Sequence, residues 1–574
     1  MKNRISIYTV IASLGGLALL LVAAMSGSSA VEHTLLGNSE HSLSWGVGLF
    51  RGLLIFHGLV LLLVAYLAIQ KTDSRPTQTS QTRSNTKSSI WWMLVLLSAI
   101  AFGLRIWRLG TDLWFDELLT LLNYVRLPAG YIVSRLPDQN NHILFSLMSH
   151  ASIRIFGESA WALRLPSVLF GVASIWALFL LGRRVLSTRE ALLASALMTV
   201  SYHHIWFSQN ARGYMGLLFF SLLATWLWLE GLERQKWVWW FCYSLAVVGG
   251  MWTHLTMAFV VAAHALVYLI VLVGALAKGQ IKQAHLWQPL VALTLAATLT
   301  LQFYSLALPE FLTTGLHEVS LESEWTNPWW VVTETLRNLR IGFSGLVVVI
   351  GGLAMVSVGW WLMMRRDWKA GLLMVLPALL AGGIMLALGH NLWPRFFFFC
   401  MGFGLLVAIH GATSLPRFLS GLVPAWPRLQ TISPAVGFVL ASLLIVASMM
   451  TVPRNYAYPK QDYSGARDFV ESQRKANDMV VAVGLAGVAY KSYFAPTWSV
   501  AQTESELDAL RHGNKTVWLI YTLPVEVKAY RPDVWQTIQK DFSVVRVFPG
   551  TLGGGEIVVC RQIQNDDVQV AMSF

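Results

Sequence analysis

Apolar runs about as long as a bilayer is thick recur along most of this 574-residue chain, and no water-soluble globule could bury them all. They fall at 5–25, 48–69, 90–109, 162–181, 190–207, 214–231, 237–253, 255–276, 287–308, 343–363, 371–389, 396–413 and 433–452. Each crossing takes roughly 20 predominantly apolar residues, so the pattern predicts a polytopic α-helical membrane protein with about 13 transmembrane helices. Hydrophobic residues make up 55% of the chain and charged ones 13%, which leaves little for soluble structure. The net charge of +12 does not point to nucleic acid, because the basic residues sit in short clusters between apolar runs and form no continuous patch. Cys242, Cys400 and Cys560 are far apart and support neither a disulfide framework nor a zinc site.

The basic clusters also set an orientation. With Lys2 and Arg4 inside, the clusters Lys71/Arg75/Arg83/Lys87, Arg183/Arg184/Arg189, Arg234/Lys236, Lys278/Lys282, Arg365/Arg366/Lys369 and Arg417/Arg428 all fall on the cytoplasmic side, and the odd number of spans puts the C-terminus outside. Ile143–Phe156 is apolar but short and carries His150 and Arg154, so it reads as an amphipathic helix at the outer interface. The first run reads either as a cleaved signal peptide or as a span, and its length favours the span. The expected organisation is an N-terminal transmembrane hairpin (1–70), a polar cytoplasmic linker (71–89), a main transmembrane domain (90–452) with outer loops at 110–161 and 309–342, and a small extracytoplasmic α/β domain (453–574). In the last, strands are expected at Met479–Val483, Thr516–Tyr521, Ser543–Phe548 and Glu556–Cys560, and helices at Ser464–Lys475 and Glu504–Arg511. Thr503 and Glu506 have the spacing of a capping box.

Polar groups at the outer ends of these spans are the candidates for chemistry. Asp116 and Glu117, within Trp114-Phe115-Asp116-Glu117, either cap a helix, Asp116 preceding one that Glu117 begins, or place a carboxylate at a wet rim where it takes a proton from an acceptor. Asn141 and His142, in Asn140-Asn141-His142, open the interfacial helix on that side. Arg212 and Tyr214 lie in Ser208-Gln209-Asn210-Ala211-Arg212-Gly213-Tyr214 at the next outer end. There Arg212 either snorkels to headgroups or offers its planar fork to a phosphate. His254 follows Trp252-Thr253, and Arg395 in Trp393-Pro394-Arg395 is a second phosphate candidate, because a guanidinium at the hydrocarbon edge is costly unless solvated or paired. Glu310, His317, Glu318, Glu322 and Glu324 crowd one outer loop, as a solvated face, part of a lid or a cation site.

These residues resemble the membrane glycosyltransferases of the GT-C superfamily, specifically the bacterial proteins similar to protein O-mannosyltransferases and to the lipid A aminoarabinose transferase. The likeness runs from about residue 90 to 452 and is carried by Trp114-Phe115-Asp116-Glu117, Asn141-His142-Ile143-Leu144-Phe145, Arg164-Leu165-Pro166-Ser167, the stretch ending at Tyr214, and Pro394-Arg395-Phe396. It departs where Ile143 replaces the usual Pro and Phe396 the usual Tyr. The resemblance implies a GT-C fold in a bacterial inner membrane with the site on the periplasmic side. The implied reaction moves a sugar from a polyprenyl-phosphate carrier to an extracytoplasmic acceptor, with inversion. On that reading Asp116 is the base with Glu117 in support. His142 shapes the sugar pocket, with Asn141, Tyr214 and His254 as substrate contacts, while Arg212 and Arg395 receive the lipid phosphate. No cofactor is required by such chemistry, although some relatives use a divalent cation. A flippase of lipid-linked sugars and a non-catalytic envelope assembly partner are the alternatives.

Overall fold

The computed structural model describes residues 7–36, 43–70, 88–138, 140–280, 283–315, 329, 333, 346–390, 392–422, 427–511 and 516–563. Most of the linker 71–89 and most of the loop 309–342, including His317, Glu318, Glu322 and Glu324, lie outside them. The chain is a multi-pass helical membrane protein. Among the described residues eight helices are long and apolar enough to cross a bilayer, or up to ten if two sharply bent helix pairs each count as one span. Their outward faces carry large apolar side chains such as Leu59, Leu63, Trp92, Leu96, Leu379 and Leu443, which water would not favour and lipid would.

The N-terminal helices are α1 (Ile7–Met25), α2 (Ser28–Leu36), α3 (Ser44–Gln70) and α4 (Ser88–Ile106). Helices α1 and α3 meet through glycine: a Cβ on Gly16 would lie 2.8 Å from the Gly58 carbonyl oxygen, so the backbones cross at a distance only small residues allow. The loop after α4 folds into α5 (Phe115–Thr120), a wide turn at Leu121–Val125 and α6 (Ala129–Ser134). Then comes α7 (Ile143–Phe156), with the bounds expected of the interfacial helix; at 14 residues it reaches about 21 Å, short of a hydrocarbon core.

Helix α7 packs on α8 (Ala160–Val185) by a specific exchange. Pro166 lacks an N–H, which would leave the Ala162 carbonyl without its helical partner. The Ser152 hydroxyl of α7 donates to that oxygen at 2.6 Å, and Ser149 donates to the Leu163 oxygen at 2.9 Å.

The expected span 190–207 is broken into α9 (Thr188–Thr199) and α10 (Tyr202–Ser208). Arg105, fully buried at the end of α4, holds the break open: its guanidinium donates to the carbonyls of Met198 and Thr199 and sits 2.7 Å from His204 Nδ1. The remaining span-like helices are α11 (Tyr214–Arg234), α12 (Trp237–Thr253), α13 (Met257–Ala277), α14 (Gln288–Tyr304), which bends by 90° into the short α15 (Leu308–Glu310) and the turn after it, α16 (Leu346–Arg366), α17 (Trp368–Ala387), α18 (Met401–Gly421) and α19 (Pro427–Thr451). Trp228, Trp240, Tyr243, Leu178, Phe399 and Phe403 are fully buried at the centre of this bundle.

Beyond α19 the chain forms α20 (Tyr463–Gln473), β1 (Met479–Val483), α21 (Leu485–Ala489), β2 (Ser499–Ala501), α22 (Glu504–Arg511), β3 (Val517–Thr522), α23 (Pro524–Tyr530), α24 (Pro532–Asp541), β4 (Phe542–Phe548) and β5 (Ile557–Gln562). The five strands make one sheet in the order β2-β1-β3-β5-β4, parallel through β2-β1-β3 and antiparallel at β5 and β4. Its alternate residues face two cores: Val480, Ala482, Trp518 and Ile520 face one, Val481, Val483, Val517 and Leu519 the other. The first core also contains Leu113, Leu118, Leu121, Phe145 and Leu163 from the outer loop and α8. The α/β unit is therefore welded to the membrane part around α5. At α22, Thr503 caps Glu506 N–H at 3.3 Å, whereas the Glu506 carboxylate reaches one residue further back, to Gln502 N–H at 2.7 Å.

Candidate active site

The Trp114-Phe115-Asp116-Glu117 segment is where outer loop, bundle and α/β unit meet. The expectation that Asp116 caps a helix begun by Glu117 is not met: Trp114 is the N-cap, and Glu117, one turn in, accepts from Trp114 N–H at 3.2 Å. This geometry sends the two acids in opposite directions. Glu117 points inward and is 0% exposed. Arg164 grips it through Nε at 2.8 Å and Nη2 at 2.6 Å, and Ala211 N–H donates to it at 2.6 Å. The rest of the Arg164 fork donates to the carbonyls of Leu109, Thr111 and Asp112, each at 2.8 Å. Burial alone would raise the Glu117 pKa, but Arg164 and Lys460 beside it bring it below the usual carboxylate value. Glu117 does not line the cavity and braces the segment from behind.

Asp116 points the other way, into an open cavity of about 700 Å³. Asn141, His142, Arg212, Tyr214, His254 and Arg395, brought from loops and helix ends hundreds of residues apart, line that same cavity. Asp116 Oδ2 accepts from Arg395 Nη1 at 3.0 Å. Arg212 Nη1 donates to Asn140 Oδ1 at 2.8 Å and to Thr120 Oγ1 at 3.2 Å, with no carboxylate contact among the described residues. Among the described residues, the Nε atoms of both arginines and Nε2 of His142 are buried and find no hydrogen-bond partner. Buried donors left unmet in this way are costly, and several around one cavity mark a place built for a polar ligand.

One wall is aromatic. His142 stacks on His254 with ring centroids 4.7 Å apart, and Tyr214 lies 5.2 Å from His254. Burial, then the charges of Arg212 and Arg395, hold the His254 pKa down at about 3; His142 is likewise held well below the imidazole range, by burial and then Arg212, His254 and Arg395. Both rings are therefore neutral at ordinary pH. Gly213 lets them close up: a Cβ there would lie 2.5 Å from the Thr253 oxygen and 2.9 Å from the His142 ring. Asn141 has a structural task as well, donating to the carbonyls of Ile132 and Arg135 at 2.9 and 2.8 Å.

Sequence reasoning missed the braces and the far wall. Lys460 is buried, donates to the Gln209 carbonyl and sits 4.8 Å from the Trp206 ring; burial lowers its pKa to about 7 against the opposing pull of Glu117. Gln461 accepts from Phe115 N–H at 2.9 Å, and Tyr530 of the α/β unit lines the cavity. Arg164 did carry a signal, since a lone arginine inside an apolar run needs a buried partner. Among the described residues no three His, Cys, Asp or Glu side chains form a metal-binding group. Glu310 is engaged by Arg135 at 2.6 Å and by Leu136 N–H at 2.7 Å, a donor set that does not suit a cation.

Residues 141–303 match the family model of dolichyl-phosphate-mannose-protein mannosyltransferases. Over that stretch this chain is similar to the dolichyl-phosphate-mannose-protein mannosyltransferases. The matched stretch holds Asn141, His142, Arg212, Tyr214 and His254. A curated relative, "Putative mannosyltransferase YkcB" of Bacillus subtilis (strain 168), is 28% identical over 153 residues, which is 27% of this chain and only 21% of that protein. Among solved structures, ArnT from Cupriavidus metallidurans in the apo state is similar with a TM-score of 0.47 and 13% identity, over 82% of this chain and 98% of that one. The Archaeoglobus fulgidus oligosaccharyltransferase gives 0.45 and 14%, over 78% and 71%. Arabinosyltransferase EmbB from Mycobacterium smegmatis gives 0.42 and 14%, over 73% and 46%.

Proposed function

We propose that this protein transfers a hexose or pentose from a polyprenyl-phosphate carrier to a hydroxyl or amine acceptor on the periplasmic face of a bacterial inner membrane, with inversion at the anomeric carbon. The observation that carries this reading is one cavity lined by a carboxylate, two guanidinium groups and a neutral imidazole wall. The acceptor oxygen or nitrogen forms a bond to the anomeric carbon while the bond from that carbon to the phosphate oxygen breaks. Its electron pair leaves with the polyprenyl phosphate, and the acceptor proton passes to Asp116. Arg212 and Arg395 receive the phosphate as its charge develops; prearranged donors of this kind are worth about 3–4 kcal/mol each where they have been removed. His142, His254 and Tyr214 form the sugar-facing wall. Phosphate is already a good leaving group, so the step needs no metal.

The carrier explains the membrane, since each buried methylene of its tail contributes about 0.8 kcal/mol to partitioning. Orientation follows from the basic helix ends. Arg183 and Arg184 close α8, Arg234 closes α11, and Arg184 pairs with Glu233 at 2.8 Å, all at the ends away from the cavity. On this reading thirteen crossings put the cavity and the α/β unit outside. Full-length protein in lipid nanodiscs, given a panel of polyprenyl-phosphate sugars beginning with mannose and an envelope acceptor extract, should release polyprenyl phosphate and form a sugar-extended product by mass spectrometry. No product from any donor, with ion-coupled movement of the lipid-linked sugar instead, would replace the transferase with a transporter.

A further inference from the structure

Two groups with opposite tasks in the proposed reaction are bonded to each other. Asp116 must be free to take a proton, and Arg395 must be free to meet a phosphate, yet Arg395 Nη1 rests 3.0 Å from Asp116 Oδ2. The pair is partly open to the cavity, with the arginine side chain 29% and the aspartate 15% exposed. Among the described residues Arg395 is otherwise held by ring contacts, its guanidinium carbon 4.9 Å from the Trp393 ring centroid, and its Nε has no hydrogen-bond partner. Arg212 differs, because its hydrogen bonds go to the neutral oxygens of Thr120 and Asn140, and an arriving anion displaces no carboxylate there.

We propose that Arg395 is exchanged between two anions: Asp116 holds it until the donor's phosphate takes it over, so that donor binding is the event that frees the Asp116 carboxylate. The inference rests on the function proposed above. A partly exposed ion pair with one bond can be given up to a phosphate, which offers more charge and can accept two parallel bonds from the fork. Until then one oxygen of the carboxylate is occupied by its partner. Arg212 makes the first, standing contact with the phosphate and Arg395 the second. The consequence is an order of events, with donor before acceptor activation.

Binding of undecaprenyl phosphate alone to the full-length protein in zwitterionic nanodiscs tests the exchange through a double-mutant cycle. D116N should tighten binding by about three- to fivefold, the worth of a partly exposed ion pair. In an R395Q background the same change should have no effect, because no carboxylate then competes for the arginine. D116A serves as the second variant, and a melting curve of each protein shows that it is folded. Equal tightening in both backgrounds would reduce the effect to removal of a nearby negative charge and overturn the exchange, as would no tightening at all. Failure of the wild type and of every variant to bind would remove the phosphate site itself, and the exchange with it, whereas binding with additive effects removes the exchange alone.

Discussion

Asp116 and Glu117 are neighbours in sequence and belong to two different regions of the molecule. Glu117 lies in the dry scaffold behind the cavity, 0% exposed, with both oxygens committed to Arg164 and Ala211. Asp116 lies in the wet wall, with Arg395 at 3.0 Å and room beside it for a ligand. A short helix turn is all that separates them. The difference shows how a paired-acid motif divides its work: one carboxylate is immobilised so that the other can be aimed. Stability and chemistry should therefore separate cleanly between the two positions.

The largest effect is expected on the scaffold side. Glu117→Gln strands the buried Arg164 charge, and breaking such a pair costs about 3–5 kcal/mol. The variant should melt far below the wild type in a thermal-shift assay or fail to accumulate, and an unchanged melting curve would break the comparison. On the cavity side, Arg212→Gln should leave melting nearly unchanged and slow transfer by about 10²–10³-fold, with polyprenyl-phosphate release as the readout. A smaller effect belongs to Lys460, whose folded pKa of about 7 lies below its usual 10.5. Between these values the unfolded chain binds the extra proton, so stability rises with pH. From pH 7 to 9 the gain is roughly 2 kcal/mol. The melting temperature of Lys460→Met should accordingly rise less over that interval than that of the wild type. Smallest of all is metal removal: transfer should survive chelation by EDTA, and its loss, restored by a divalent cation, would require a cation site.

The apolar runs made the helices legible, and span-end position made Asp116, Arg212 and Arg395 legible, because charge at a hydrocarbon boundary needs a reason. What could not be read was direction. Nothing local distinguishes Asp116 from Glu117, since the partners that bury Glu117 come from Arg164 on another helix and Lys460 far along the chain. The break between α9 and α10 was hidden for the same reason, its carbonyls being met by Arg105 from α4. Four of the five strands of the α/β unit were legible from their β-rich runs, and β2, only three residues long, was not. Its shared core with Leu118 and Leu121 was not, because a buried strand reads the same whatever covers it.

The most direct measurement is sugar transfer by Asp116→Asn in full-length protein, taken together with its melting temperature. This substitution removes the proposed base and keeps the shape, and a positioned general base contributes about 10²–10⁴-fold. The expected result is a protein that melts close to the wild type and has lost about a hundredfold or more of its transfer rate. Near-normal transfer by that folded variant would contradict Asp116 as the base.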